Sequence, residues 1–175
     1  MRGDMAANLY RIEDRDLLEM VMGVSVGFHS PEAVLSGLTG EQATAKPPGA
    51  PHSIAEIVAH MCFWQDCFNQ IALNGFTGFP EHAEGGWPPC PADEWPALHD
   101  RYLAVIGESE QIARSAPDLD AKLLPEGVPI PFLERDTRGS GVLHGAIHAA
   151  HHLGQVVLLR QLMGLWPPPA GSMTW

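Results

Sequence analysis

The sequence predicts an all-α protein, an antiparallel four-helix bundle, and three observations carry that reading. Apolar residues recur at helical spacing through most of the chain, Pro and Gly gather between the periodic stretches, and Ser or Thr stands ahead of several of them. With 175 residues, 45% hydrophobic and 18% charged, the chain is expected to form a single domain over residues 1–175. About two-thirds of its unfolded surface would be buried, so neither disulfides nor a structural metal is needed, and any metal is expected to be functional.

The elements follow in order. Short helices are expected within 14–45. The first, Asp14 to Val26, has Leu17, Leu18, Val21, Met22 and Val24 at helical spacing. Ser30 can cap a second with Pro31 in its first position, carrying Ala33, Val34, Leu35 and Leu38, and Thr39 with Glu41-Gln42-Ala43 suggests a further turn. Lys46-Pro-Pro-Gly-Ala-Pro51 must be a loop, because proline lacks an amide hydrogen and disfavours helix in its predecessor. Ser53 and Glu56 then form a capping box for a main helix over about 53–74.

Gly75 to Pro91 has no periodicity, and a loop of that length is often functional. A second main helix is expected over about 92–115, burying Leu98, Tyr102, Val105, Ile106, Ile112 and Ala113 and ending before Pro117. After proline-bearing stretches through Val128-Pro-Ile-Pro131, the last main helix is expected over about 137–163, closed by Gly164 and Pro167 to Pro169.

Charge narrows the function. The 10 basic and 21 acidic residues give a net charge of -11, and the two lysines, Lys46 and Lys122, lie far apart. Nucleic acid is therefore not expected as a partner, since phosphate binding needs clustered cations. A membrane is not expected either: the charge repels an anionic surface, and no apolar run approaches a spanning helix or a signal segment. The three cysteines, Cys62, Cys67 and Cys90, make an odd count without a CxxC pair, which fits a reducing cytoplasm.

The chemistry-bearing residues are histidines. At about 100° per residue, His144, His148, His151, His152 and Gln155 share one helix face. That face continues into Leu158, Leu159 and Leu162, which marks it as core-facing. On the 53–74 helix, Ser53, Glu56, Ile57, His60, Trp64, Cys67 and Ile71 line up likewise, so His60 also points inward. An unpaired buried imidazole costs about 1–3 kcal/mol, and a shared cation satisfies several at once. His148 and His152, one turn apart, supply two ligands and His60 a third. Three neutral imidazoles suit zinc, nickel, iron or copper better than magnesium or calcium, with zinc or nickel expected and the remaining positions left to water or a small-molecule substrate.

Blander readings stand beside this one. A lone HxxxH is more often an ordinary helix surface or a hydrogen-bonded core pair. His144 and His151 read as outer partners of the ligands or cavity lining, and His29, His52, His82 and His99 as solvated. Glu56 can be a base but is already explained as a cap. Cys67 can be a nucleophile or a small buried hydrophobe, and Trp64 and Phe63 read as core.

Ser53-Ile-Ala-Glu-Ile-Val-Ala-His60-Met-Cys-Phe-Trp64 together with Gly145-Ala-Ile-His148-Ala-Ala-His-His152-Leu-Gly-Gln155-Val156 resembles the DinB-like family of metal-binding bundles, which includes the YfiT-like proteins. Phe28-His29-Ser30-Pro31 and Leu38-Thr-Gly-Glu-Gln-Ala43 extend the likeness over most of the chain, while Leu153 departs from the Arg or Ala usual before Gly-Gln. The resemblance implies a four-helix bundle with a long crossover loop, a divalent metal on His60, His148 and His152, and a homodimer. It also implies a metal-dependent enzyme of unassigned reaction, a hydrolase or a transferase using a small thiol. The alternatives are a non-enzymatic metal- or small-ligand-binding protein and a purely structural bundle.

Overall fold

The helix starts at Ser30 and Ser53 are made by the side chains expected to make them. The computed structural model describes residues 29–169 and Gly171; the helix expected over Asp14 to Val26 lies outside the described residues. Among the described residues the chain is helical and has no strand, as an all-α fold requires. Ser30 Oγ accepts from the Ala33 amide at 3.2 Å and opens α1, Pro31–Leu35. Thr39 and Gln42 cap each other's amides and open α2, Gly40–Thr44.

The first long helix, α3, spans Ile54–Asn74. Ser53 Oγ accepts from the Glu56 amide at 3.2 Å, and the Glu56 carboxylate accepts from the Ser53 amide at 2.9 Å, so two donors that a helix start leaves unpaired are both satisfied. Gly75 ends the helix at φ 85, a backbone state that side chains disfavour. The expected start at Ala92 is a 3-10 turn, Ala92–Glu94, and α4 proper runs over Trp95–Ser115, with proline in its first turn and Pro117 just beyond its end. The last helix, α5, spans Arg138–Leu162, and its capping box pairs Thr137 with Ser140.

α3 is the central element, packed against both α4 and α5. Ile54, Val58 and Met61 of α3 bury with Tyr102 and Val105 of α4, Val156 and Leu159 of α5, and Val34 and Leu35 of α1. Each large aliphatic side chain so buried contributes about 1.5–3 kcal/mol. A buried polar group sits in the α3–α4 contact: Asn69 donates to the Val105 carbonyl at 3.0 Å and accepts from Ser109 Oγ at 2.7 Å. At Gly145 a Cβ would lie 2.5 Å from Gln65 Oε1, so glycine is what lets α5 approach α3 this closely. That approach falls three residues before His148 and brings the two histidine-bearing faces together.

Two expectations need correction. The face of α5 beyond His152 is not all core: Leu159 is buried, but Leu158 and Leu162 are 54% and 65% exposed. A stripe about 100° wide is broader than its contact with α3, so its edge meets solvent. Trp64 and Phe63, expected in the core, are only half-buried, and Trp64 lies against Phe79 and Gly86 of the 75–91 segment. At the far end of α5, Arg160 is 2% exposed and donates from its guanidinium to the carbonyls of Val34, Ser36 and Leu165, tying α1 and the C-terminal turn to the helix. No described helix is long and apolar enough to cross a membrane.

Candidate metal centre

His60 lies in the second turn of α3, and His148 and His152 lie one turn apart on α5. Their ring nitrogens converge: His148 Nε2 is 3.0 Å from His60 Nε2 and 3.0 Å from His152 Nε2. One nitrogen from each of the three lies within 4.8 Å of the others, which positions them to hold a metal ion.

The proton inventory of this cluster is informative. His60 Nδ1 sits 2.6 Å from the Gly86 carbonyl oxygen, and a carbonyl only accepts, so Nδ1 carries the hydrogen and Nε2 of the neutral ring is a bare lone pair. His152 Nδ1 sits 2.7 Å from Gln155 Oε1 and donates in the same way, leaving its Nε2 bare too. Gln155 is turned so that its amide nitrogen lies 3.3 Å from His151 Nε2, which keeps its oxygen toward His152. Two lone pairs therefore face His148 Nε2, which in the neutral ring has at most one hydrogen for both. A divalent cation among the three nitrogens removes that conflict. Nitrogens bound at about 2.1 Å to one ion lie about 3.0 Å apart at a right angle and about 3.4 Å apart at a tetrahedral one, so the spacing seen needs only small ring shifts to admit an ion.

Electrostatics keep the rings in the ligand form. Burial pushes the His148 pKa down to about 4, with His152 and His60 beside it adding to the shift. Burial lowers that of His60 as well, against the opposing pull of the Gly86 carbonyl, and lowers that of His152 against its bond to Gln155. Protons thus compete weakly for these nitrogens at neutral pH.

Of the other residues singled out, Glu56 is committed elsewhere. Its carboxylate caps α3, pairs with Lys46 Nζ at 2.8 Å and faces His52 at 3.6 Å. Burial raises its pKa, but the Lys46 and Ser53 bonds outweigh that and leave it lowered, so it is a fixed anion. Cys67 is a free, half-buried thiol whose pKa burial and Asp66 raise, the opposite of an activated nucleophile. His151 is exposed, while His144 Nδ1 lies 3.5 Å from the buried Asp136 carboxylate.

Sequence reasoning missed the loop's part in the site. Gly86 supplies the carbonyl that orients His60, and Trp87 stacks on the His60 ring at 3.7 Å between centroids. His52, expected to be merely solvated, stacks on the other side of Trp87 at 3.9 Å. The signal available was the length and aperiodicity of the 75–91 segment, which marks a functional loop without saying which residue touches what.

The DinB superfamily model matches residues 30–156, well over half of the chain, and the chain belongs to that superfamily. No curated protein and no solved structure matches it.

Proposed function

We propose that His60, His148 and His152 hold a divalent transition metal, zinc or nickel, and that the protein is a metal-dependent hydrolase or small-thiol-dependent transferase. The observation that carries this is the pair of Nε2 lone pairs, bared by the Gly86 and Gln155 bonds, aimed at a third imidazole nitrogen. Among the described residues three protein donors meet there, fewer than a transition metal's coordination number, which leaves positions for a ligand. A divalent ion so held would acidify a water or thiol bound to it and polarise a substrate oxygen. The chain's own part is to orient the imidazoles through Gly86 and Gln155 and to keep them neutral by burial. The fold this reading carries is a single-domain antiparallel four-helix bundle with a long crossover loop, acting as a cytoplasmic homodimer.

The test is elemental analysis of protein purified without chelator, followed by the same for His60→Ala. A stoichiometric transition metal in the first and its loss in the second support the proposal; a metal-free protein that takes up none on incubation defeats it. Turnover of ester or electrophilic substrates, with and without small thiols, then separates the two reaction classes.

A second reading, a non-enzymatic metal- or small-ligand-binding protein, is favoured by one observation: Glu56, the base candidate, is bound to Lys46 and to the helix start. Metal-loaded protein without turnover on those substrates, at any pH between 6 and 9 (roughly the range in which an acidified water or thiol ionises), would select it.

A further inference from the structure

Beside the histidine cluster, between the 48–52 loop and the C-terminal half of α5, lies a cavity of about 440 Å³. His152 belongs to both: it lines the cavity and faces His148. Trp87, whose indole stacks on His60, forms part of the same wall. A ligand seated in the cavity would therefore lie against His152, one of the three converging histidines.

The lining is apolar. Ile57, Leu158, Leu159 and Leu162 form its walls, and among the described residues no Lys, Arg, Asp or Glu contributes. Its polar groups are already engaged, Gln155 with His152 and His52 with Trp87 and Glu56. Leu158 and Leu162, at 54% and 65% exposure, are two of the large apolar side chains left in water. Such a lining gains from covering by hydrocarbon, and it offers a carboxylate or phosphate no cation to replace its hydration. The net charge of -11 disfavours anions further.

We propose that this cavity seats the uncharged, apolar part of a small-molecule ligand whose polar head meets the histidine cluster. The proposal rests on the metal reading for the head group only. The substrate class that follows is a neutral molecule with an aliphatic or aromatic tail, as opposed to a phosphorylated or polycarboxylate metabolite.

Straight-chain alkyl hydroxamic acids test it, titrated calorimetrically into metal-loaded protein from the acetyl to the octanoyl member. Affinity should rise about two- to fourfold per methylene. A tail ending in carboxylate should bind at least about tenfold more weakly than the octanoyl compound. In Leu158→Asp and Leu162→Asp, both at exposed positions, the series should flatten while metal content stays at the wild-type level. A flat series in the wild-type protein with metal bound overturns the cavity proposal and leaves the metal reading standing. If the protein holds no metal, the metal reading fails, and the cavity is tested separately by the fluorescence gain of the neutral dye N-phenyl-1-naphthylamine. Gain in the wild type and its loss in Leu158→Asp support the cavity, and no gain overturns it. Should Leu158→Asp instead turn a dimer into a monomer without weakening the octanoyl compound, the leucines serve a second copy of the chain and the proposal is overturned.

Discussion

Replacing Gly86 by alanine should damage the metal centre although Gly86 contributes no side chain. A Cβ there would lie 2.6 Å from Trp64 Nε1, whereas ordinary contact begins at 3.4 Å, so loop or indole must give by about 0.8 Å. If the loop moves, the Gly86 carbonyl leaves His60 Nδ1. Adding the same 0.8 Å to a bond of 2.6 Å takes it to about 3.4 Å, beyond useful hydrogen bonding. Partners of this kind, which orient a ligand from behind, are worth about 10–100-fold in metal affinity. Competition with a chromophoric chelator should therefore show Gly86→Ala weaker by that factor. The double variant Gly86→Ala with Trp64→Phe, which removes the colliding atoms, should recover most of the loss. Wild-type affinity in Gly86→Ala would refute the reasoning, as would a loss that Trp64→Phe leaves untouched.

Other perturbations have directions of their own. Because the folded pKa values of His60, His148 and His152 lie below the ordinary imidazole value, the unfolded chain takes up protons first as pH falls. Metal-free stability should be full above pH 6.5 and decline toward pH 4, by up to about 3 kcal/mol from His148, measured as denaturant midpoints across that range. Gly107→Ala in α4, where an added Cβ meets nothing within 4 Å, should stabilise by about 0.5–1 kcal/mol in thermal melts and leave metal binding alone. Arg160→Met should cost about 2–4 kcal/mol in the same melts, since it strands the buried carbonyl of Val34 and the part-buried carbonyls of Ser36 and Leu165.

Much of the fold was legible in the chain because helix starts are local chemistry. Ser30, Thr39, Ser53 and Thr137 cap the helices they precede, and each does so through bonds to residues three positions away. The inward aim of His60, His148 and His152 was legible for a similar reason, since helical periodicity places side chains on faces whatever surrounds them. The width of the buried face was not. Periodicity reports an angle around one helix, while burial depends on how much of that angle a neighbour covers, and for α5 the cover stops short of Leu158 and Leu162. Nor does any residue pattern tell where an aperiodic segment crosses a helix, so the stacking of Trp87 and His52 beside His60 had no signal in sequence.

The sequence by itself determined the three long helices, the caps at Ser30 and Ser53, the all-α class, and which histidines could meet, because these follow from bonds and spacings within a few residues. Only the tertiary structure decided that His60 and His148 do meet, through the close approach of α5 to α3 at Gly145. It alone decided their tautomers, through Gly86 and Gln155, and placed the apolar cavity against His152. Those features depend on contacts between segments far apart in the chain, and no local rule of spacing encodes them.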